Sequence, residues 1–506
     1  MGGTWRAALA LAATVLASPA ASQDATLTAR DGGLSLSGEL IAFDGEVYRI
    51  ATAYGPLTVN AEGVICTGPA CPALTFPRAR IAVTGASDPG LRLMPPLWAA
   101  FARARGLRLD PSAGPGWQAT LSDPATGEAL ADLAFAPAPA GAATAALRDG
   151  RATLAVLAEA PEGLNSRALG AEALVPVASR DNRLPRLATA DLARMLSGQA
   201  ATWAAAGGPD MPVVVHALDP GDALGAAAAA RLGPGGLAPA VLHPDAGALD
   251  AAVARDPWAV ALTAAGRVSA ARILPLTDSC GFALPATEVE VRAGDYPLTV
   301  TWHLVAPRRR LPLILREFLE FTATDAAQAA VAAAGLTDRR ALRAPLAADG
   351  RRILGAVRAG GAEVPLAELQ RLAAAMEGGE RLSVTFRFED GSSRLDAASE
   401  TALADLAAAI AARAFDGWRL TLAGFSDGSG AAATNLALSR SRAEAVRATL
   451  ARIAPDLSPD DLPAGEAWGE APPRARDTTE AGGRINRRVE VWLHPIPEWD
   501  GPPAAE

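Results

Sequence analysis

Strand-like and helix-like segments alternate through the middle of this chain, between residues 78 and 345. The run Arg80-Ile-Ala-Val-Thr-Gly and the segment Leu298–Val305 are typical of buried strands. Thr189–Ser197 and Ala326–Ala334, in contrast, have the composition and length of helices. Because such alternation is the pattern of strands joined through helical crossovers, it predicts an α/β module with a largely parallel sheet.

The chain is too long for a single hydrophobic core, and modules of different character flank the α/β region. Its 506 residues suggest several domains, and we expect a multidomain protein of mixed α/β and α+β class. The predicted parts are a signal peptide at 1–22, a small β module at 24–72, the α/β module at 78–345, a linker with a short helix at 346–378, a compact β-α-β-α-β domain at 380–494 and a flexible tail at 495–506.

The first residues have the layout of a secretory signal peptide. Arg6 precedes an apolar run at residues 7–16, and small residues follow. An N-terminal membrane anchor is the alternative. Export predicts an oxidising compartment. We therefore expect Cys66 and Cys71, which flank the turn-forming sequence Thr-Gly-Pro-Ala, to form a disulfide.

Composition and motifs exclude several classes of function. The net charge of -9 argues against a general nucleic-acid binder. The 4 His residues are far apart and the chain has only 3 Cys, so we predict no metal site and no cofactor. No hydrolase, zinc-protease, P-loop or dinucleotide motif occurs in a suitable context, which predicts that the protein is not an enzyme. Glu159 and Asp222 leave an envelope hydrolase open as an alternative.

Three motifs of the C-terminal domain occur in a characteristic order. Gly424-Phe-Ser-Asp-Gly-Ser-Gly ends a predicted strand, and Asn435-Leu-Ala-Leu-Ser-Arg-Ser-Arg-Ala-Glu-Ala-Val opens a predicted helix. Gly483-Arg-Ile-Asn-Arg-Arg-Val-Glu-Val leads into the last strand. Asn435 and Arg442 lie two turns apart, so they share one helix face. With these motifs, the region resembles the OmpA-like peptidoglycan-binding domain.

The resemblance implies non-covalent binding of the meso-diaminopimelate residue in the peptidoglycan stem peptide. The free end of that amino acid has one ammonium and one carboxylate group. By resemblance, Asp427 binds the ammonium and Arg442 the carboxylate. Asn435 and Arg488 would shape the pocket, with Asn486 and Arg487 as further candidates. An ordinary surface pair of Asp427 and Arg442 is the alternative.

The C-terminal sequence departs from the family pattern at two places. Arg474-Ala-Arg-Asp-Thr-Thr stands where the family often has Asn-Asp-Thr or Asn-Asn-Thr, and Phe425 stands where His or Tyr is common.

Five segments of the middle module form a recognisable series: Gly85-Ala-Ser-Asp-Pro-Gly, Leu174-Val-Pro-Val-Ala-Ser-Arg-Asp-Asn, Leu196-Ser-Gly-Gln-Ala-Ala-Thr-Trp, Asp278-Ser-Cys-Gly and Tyr296-Pro-Leu-Thr. With these segments, the module resembles the phosphate-type periplasmic solute-binding proteins of ABC importers. This implies two α/β lobes around a cleft, at 79–160 with 282–345 and at 161–281. Ser87 is the candidate solute-binding residue, and a small anionic solute is the possible ligand.

The family's hydroxyl-rich loop is replaced here by Ala217-Leu-Asp-Pro-Gly-Asp-Ala-Leu-Gly, and its Ser-Arg pair by Ala158 and Glu159. The loss of hydroxyl groups and an Arg, together with the gain of carboxylates, disfavours a phosphate dianion. The module can instead be a spacer or a surface for envelope protein partners.

We therefore expect an exported protein of the periplasm, associated with peptidoglycan and the outer membrane, that displays a solute-binding-like module. A receptor that delivers phosphate or another anion to an ABC importer is the second hypothesis, and an envelope hydrolase is the third.

Overall fold

The computed structural model describes residues 24–29, 33–43, 47–71, 78–219, 221–231, 237–278, 283–346, 350, 364–389, 392, 394–471, 473–474 and 480–496. The predicted signal peptide, about half of the predicted linker and nearly all of the tail lie outside these ranges. The chain divides into two compact units, Met1–Arg78 and Ala79–Glu506.

The first unit contains a five-stranded antiparallel sheet in the order β4-β3-β2-β1-β5. Its strands are β1 (Asp24–Ala29), β2 (Ser35–Phe43), β3 (Val47–Thr52), β4 (Gly55–Asn60) and β5 (Val64–Thr67). Leu27, Tyr48 and Ile50 are buried on one face. Because side chains alternate across a strand, the opposite face contains Thr28 and Arg49 together with the exposed Ile65. The predicted disulfide is present: Cys66 on β5 is bonded to Cys71, with the two Cα atoms 5.7 Å apart.

The second unit begins with an α/β region whose strands form one long sheet and a small separate one. The long sheet has the order β14-β13-β15-β11-β19-β10-β6-β9-β8-β7, with β16 paired to β11, and the small sheet has the order β12-β17-β18. The strands are β6 (Ala79–Gly85), β7 (Arg108–Ser112), β8 (Trp117–Ser122), β9 (Ala129–Pro137), β10 (Leu154–Leu157), β11 (Asn165–Ala178), β12 (Leu187–Ala188), β13 (Val214–Leu218), β14 (Val241–His243), β15 (Ala259–Ala264), β16 (Arg272–Ile273), β17 (Leu276–Thr277), β18 (Ala283–Leu284) and β19 (Thr299–Ala306).

Eight α-helices accompany these strands in the described part of the region. They are α1 (Ser87–Ala104), α2 (Ala140–Arg148), α3 (Thr189–Leu196), α4 (Ala223–Arg231), α5 (Ala246–Arg255), α6 (Glu288–Arg292), α7 (Leu313–Phe321) and α8 (Asp325–Ala333). The aromatic side chains Trp98 on α1 and Phe318 on α7 stack with ring centroids 3.7 Å apart, which anchors both helices in the core.

The long sheet is mixed, so the prediction of a largely parallel sheet was wrong. Parallel pairs join β6 to β9 and β10, and β13 to β14 and β15. The strands β7, β8 and β9 form an antiparallel meander instead. Their connections at residues 113–116 and 123–128 are hairpin loops, too short for a crossover helix. The long strand β11 pairs with β19 in its first part and with β15 in its second, so it links the two halves of the sheet.

The C-terminal region forms a second five-stranded sheet, in the order β20-β21-β24-β22-β23. Its elements are β20 (Arg343–Pro345), α9 (Leu366–Met376), β21 (Glu380–Arg387), α10 (Ala397–Ala411), β22 (Trp418–Gly424), α11 (Ala432–Ile453), β23 (Ala464–Ala467), α12 (Glu480–Asn486) and β24 (Arg488–Pro495). The core between this sheet and its helices contains Leu403, Leu422, Val446 and Val491. The strand β20 lies at the end of the predicted middle module, yet it pairs with β21 of this sheet.

Candidate functional site

The candidate peptidoglycan site begins where β22 meets α11. A Cβ atom at Gly424, the last residue of β22, would lie 2.1 Å from the carbonyl oxygen of Ser439 on α11. Only glycine permits this approach of strand and helix. The strand therefore delivers Asp427, three residues later, beside the helix face that contains Asn435 and Arg442. The helix begins at Ala432, slightly earlier than the sequence predicted.

Asp427 forms an ion pair with Arg487, a residue the sequence offered only as a further candidate. The Arg487 Nη1 atom lies 2.8 Å from Asp427 Oδ2, and the two side chains are 23% and 15% exposed. The other oxygen, Asp427 Oδ1, accepts a hydrogen bond of 3.3 Å from the Ser429 amide. A Cβ atom at Gly483 would lie 3.1 Å from Arg487 Nη1 and 3.4 Å from Asp427 Oδ2. The backbone of α12 thus lies directly against this pair.

Arg442 lies beside this pair as a half-buried cation. Its Nη1 atom donates to the carbonyl oxygen of Phe425 at 3.4 Å, and its guanidinium group lies 5.7 Å from the centre of the Phe388 ring. Burial lowers the pKa of Arg442, and nearby Arg487 lowers it further, whereas Asp427 opposes the shift. Two guanidinium groups and one carboxylate therefore share one site. Such a site can bind a carboxylate through Arg442 and an ammonium group through Asp427.

Asn435 and Arg488 lie below the surface of the site. Asn435 is fully buried and donates through Nδ2 to Glu470 Oε2 at 2.9 Å. Sequence reasoning missed Glu470, which lies in a loop with no recognisable spacing. Arg488 is also fully buried. Its guanidinium group stacks on the Phe425 ring at 4.1 Å, and its Nε atom lies 2.8 Å from Glu490 Oε1. The structure therefore brings Asp427, Arg442 and Arg487 together and places Asn435 and Arg488 behind them.

The candidate solute site of the middle module contains charges that already pair with each other. Ser87 is the first residue of α1, and Asp88 follows it. Asp88 Oδ2 lies 2.8 Å from Arg92 Nε, and Asp88 Oδ1 lies 3.1 Å from Arg267 Nη2. Arg267 ends the turn that follows β15, in the other predicted lobe. Arg92 also forms an ion pair with Glu172 of β11. A continuous chain of ion pairs thus crosses from one predicted lobe to the other beside Ser87.

Asp222 adds a further carboxylate near this chain. It accepts hydrogen bonds from the amides of Leu224 at 2.8 Å and Gly225 at 3.2 Å, at the start of α4. Burial raises the pKa of Asp222, and the charges of Asp88 and Asp219 raise it too, against those amide hydrogen bonds. The helix start that could attract an anion is therefore already occupied by an internal carboxylate.

Within the described ranges, no helix is both long and apolar enough to cross a membrane. Among the same residues, no group of three or more His, Cys, Asp or Glu side chains is arranged to hold a metal ion.

Comparison with known protein families supports the prediction made for the C-terminal domain. Residues 387–487, about a fifth of the chain, match the model of the OmpA family. The predicted OmpA-like domain is therefore confirmed. A search of curated protein sequences returned no match to the chain.

Comparison with solved structures returned weak matches to proteins that are named for phosphate transport or phosphate binding. An ABC-type phosphate transport receptor from Vibrio cholerae has 16% sequence identity and a TM-score of 0.41, covering 51% of this chain and 98% of the receptor. A putative phosphate ABC transporter substrate-binding protein with bound phosphate from Clostridium perfringens has 14% identity and a TM-score of 0.41, covering 52% of this chain and 100% of that protein. PstS from Borrelia burgdorferi has 11% identity and a TM-score of 0.38, covering 51% of this chain and 98% of PstS.

Proposed function

We propose that this protein is an exported cell-envelope adaptor that binds peptidoglycan non-covalently through its OmpA-like domain. The signal peptide at 1–22 directs it to the periplasm, where it associates with the cell wall close to the outer membrane. Its ligand is the meso-diaminopimelate residue of the stem peptide. We propose further that the protein binds this ligand without acting as an enzyme.

The observation that carries this proposal is the grouping of Asp427, Arg442 and Arg487 at one site of an OmpA family domain. The free end of meso-diaminopimelate has an ammonium and a carboxylate on the same carbon atom. Asp427 Oδ1, whose hydrogen bond from Ser429 is long at 3.3 Å, receives the ammonium. Arg442 donates to the carboxylate, and Arg487 adds a second positive charge on the same side. Charge-assisted hydrogen bonds of this kind contribute about 1.5–3 kcal/mol each.

Sedimentation with purified sacculi tests the proposal. The wild-type protein is expected to sediment with sacculi that contain meso-diaminopimelate. Asp427→Ala and Arg442→Ala should each weaken binding about ten- to hundredfold, since each removes a charge-assisted hydrogen bond. Arg440→Ala is the matched control, because Arg440 is exposed on the same helix. Binding of Asp427→Ala and Arg442→Ala with wild-type affinity would refute the proposal.

For the middle module we propose a structural or protein-contact role at the wall, in preference to anion transport. Asp88 is held between Arg92 and Arg267, and Asp222 caps α4 at the position where an anion would approach. A phosphate dianion would meet these carboxylates at close range. The alternative of an importer receptor requires that phosphate or another small anion stabilise the protein, which a thermal-shift screen measures directly.

A further inference from the structure

The OmpA-like domain packs against the middle module through specific polar contacts, all within the second unit. The amide of Ala168 on β11 donates to Thr401 Oγ1 of α10 at 3.1 Å. Arg339, after α8, reaches Asp405 on α10, with its Nη2 atom 2.9 Å from Oδ2. The two modules therefore meet along β11, the strand that links the two halves of the long sheet.

A buried group of charges lies at the same junction and has Asp295 of the middle module at its centre. The Asp295 side chain is 1% exposed, and its two oxygens lie 2.7 Å from Arg381 Nη1 and 2.7 Å from Arg387 Nη2, both on β21. Burial alone would raise the pKa of Asp295. The guanidinium groups of Arg474, Arg381 and Arg387 outweigh this and hold that pKa well below its ordinary value.

Arg474 extends this group of charges into the OmpA-like domain. Its Nε atom lies 3.2 Å from Asp295 Oδ2 and 3.3 Å from Glu490 Oε1, and its Nη1 atom lies 3.2 Å from Glu290 Oε2. Its backbone amide donates to Asn486 Oδ1 at 2.6 Å. Arg474 belongs to the segment that departs from the OmpA family pattern. Its contacts explain the departure, because an arginine at this position can bind carboxylates of both modules. One side chain is held by carboxylates of both modules, while its backbone holds Asn486.

Asn486 directly precedes the residue that contacts Asp427. Arg487 lies between Asn486 and Arg488, and both of these neighbours are fully buried. Arg488 Nη1 donates to the Asn486 carbonyl oxygen at 3.3 Å. With its two neighbours fixed in this way, the backbone of Arg487 is fixed as well, and so is the direction from which its side chain reaches Asp427.

We propose that Arg474, held by Glu290 and Asp295 of the middle module, is a positioning residue for the peptidoglycan site. It acts through Asn486 on Arg487 and so sets the arrangement of Arg487 beside Asp427. The middle module then helps to position the residues of this site, and the affinity for peptidoglycan depends on how the two modules pack against each other. This inference rests on the proposed function of the Asp427 site. Supporting side chains of this kind orient the groups that contact a ligand.

A double-mutant cycle in the full chain tests the proposal, with sacculus affinity as the readout. Arg474→Gln should weaken binding about tenfold in the wild-type background, in line with supporting residues at other sites. In the Arg487→Ala background the same substitution should have no further effect, because the residue that it positions is absent. Arg105→Gln is the matched control: Arg105 forms a half-exposed pair with Glu317, 3.3 Å away, in the middle module. Glu290→Gln provides a milder second variant should Arg474→Gln fail to fold. It too should weaken sacculus binding in the wild-type background and have no further effect in the Arg487→Ala background.

Two results would overturn this proposal. Wild-type affinity of both Arg474→Gln and Glu290→Gln would show that the docking contacts do not act on the site. If Arg474→Gln weakened sacculus binding equally in the wild-type and Arg487→Ala backgrounds, Arg474 would support only the fold and not the position of Arg487. Asp427→Ala, measured beside them, separates these failures from failure of the proposed function: if Asp427→Ala also binds sacculi normally, the site itself is misassigned.

Discussion

Gly424→Ala provides a sharp test of how the binding site is built. The added Cβ atom would lie 2.1 Å from the Ser439 carbonyl oxygen and 3.3 Å from Ala443 Cβ. An ordinary carbon–oxygen contact is about 3.5 Å, so β22 and α11 must separate by roughly 1 Å or more. Overpacking of this kind costs about 1–3 kcal/mol of folding free energy.

The same displacement moves Asp427, which follows β22, away from Arg442 on α11. We expect Gly424→Ala to lower the urea midpoint and to weaken sacculus binding about tenfold or more, since about 1.4 kcal/mol of lost interaction is a factor of ten. The matched control is Gly465→Ala on the neighbouring strand β23, where the added Cβ atom would lie 3.6 Å from Ala443 Cβ, an ordinary contact. Urea unfolding followed by tryptophan fluorescence, and sacculus sedimentation, measure the two effects. The reasoning is refuted if Gly424→Ala and Gly465→Ala behave alike in both assays.

Three further outcomes follow from other parts of the molecule. Reduction of the Cys66–Cys71 disulfide, which closes a short loop, should destabilise the first unit by about 2 kcal/mol in a denaturant titration and leave sacculus binding unchanged. Phosphate should raise the melting temperature no more than sodium chloride of equal ionic strength. A bound ligand at a hundredfold excess over its Kd would instead add about 2.7 kcal/mol to the free energy of unfolding. A rise in melting temperature that is specific to phosphate would support the importer-receptor hypothesis. Because the pKa of Asp295 is lower in the folded state, its carboxylate contributes stability above its ordinary pKa, and that stability is lost as the pH falls below about 4. Urea midpoints measured across this range should therefore fall, and Asp295→Asn should flatten the dependence.

The C-terminal domain could be predicted from the sequence because its motifs are local. Gly424, Asp427, Asn435 and Arg442 lie within a short stretch of chain, and strand, turn and helix follow one another there without a long connection. The pairing of Asp427 with Arg487 could not be derived in the same way. Arg487 is 60 residues away in sequence, and only the placement of α12 beside Asp427 selects it over the neighbouring Arg488. Adjacent arginines look equivalent in sequence, while in the structure one is part of the site and the other is buried.

Contacts between the modules could not be predicted from the sequence patterns. The strand β20 has only three residues, and its assignment to the C-terminal sheet depends on β21 lying next to it. Arg474 was visible in the sequence as a departure from a family pattern, but its partners Glu290 and Asp295 are more than 170 residues earlier. The meander of β7, β8 and β9 was not predicted either, since its antiparallel pairing depends on short hairpin loops within a region that otherwise alternates strands and helices.

The central claim is that Asp427 and Arg442 hold the zwitterionic end of meso-diaminopimelate. Calorimetric titration of the full chain with tetrapeptide stems that contain either meso-diaminopimelate or L-lysine tests it most directly, because the lysine side chain offers the ammonium group without the carboxylate. We predict that the diaminopimelate stem binds at least about tenfold more tightly, and that Arg442→Ala removes this preference. Equal affinities for the two stems, or a preference that survives Arg442→Ala, would contradict the account.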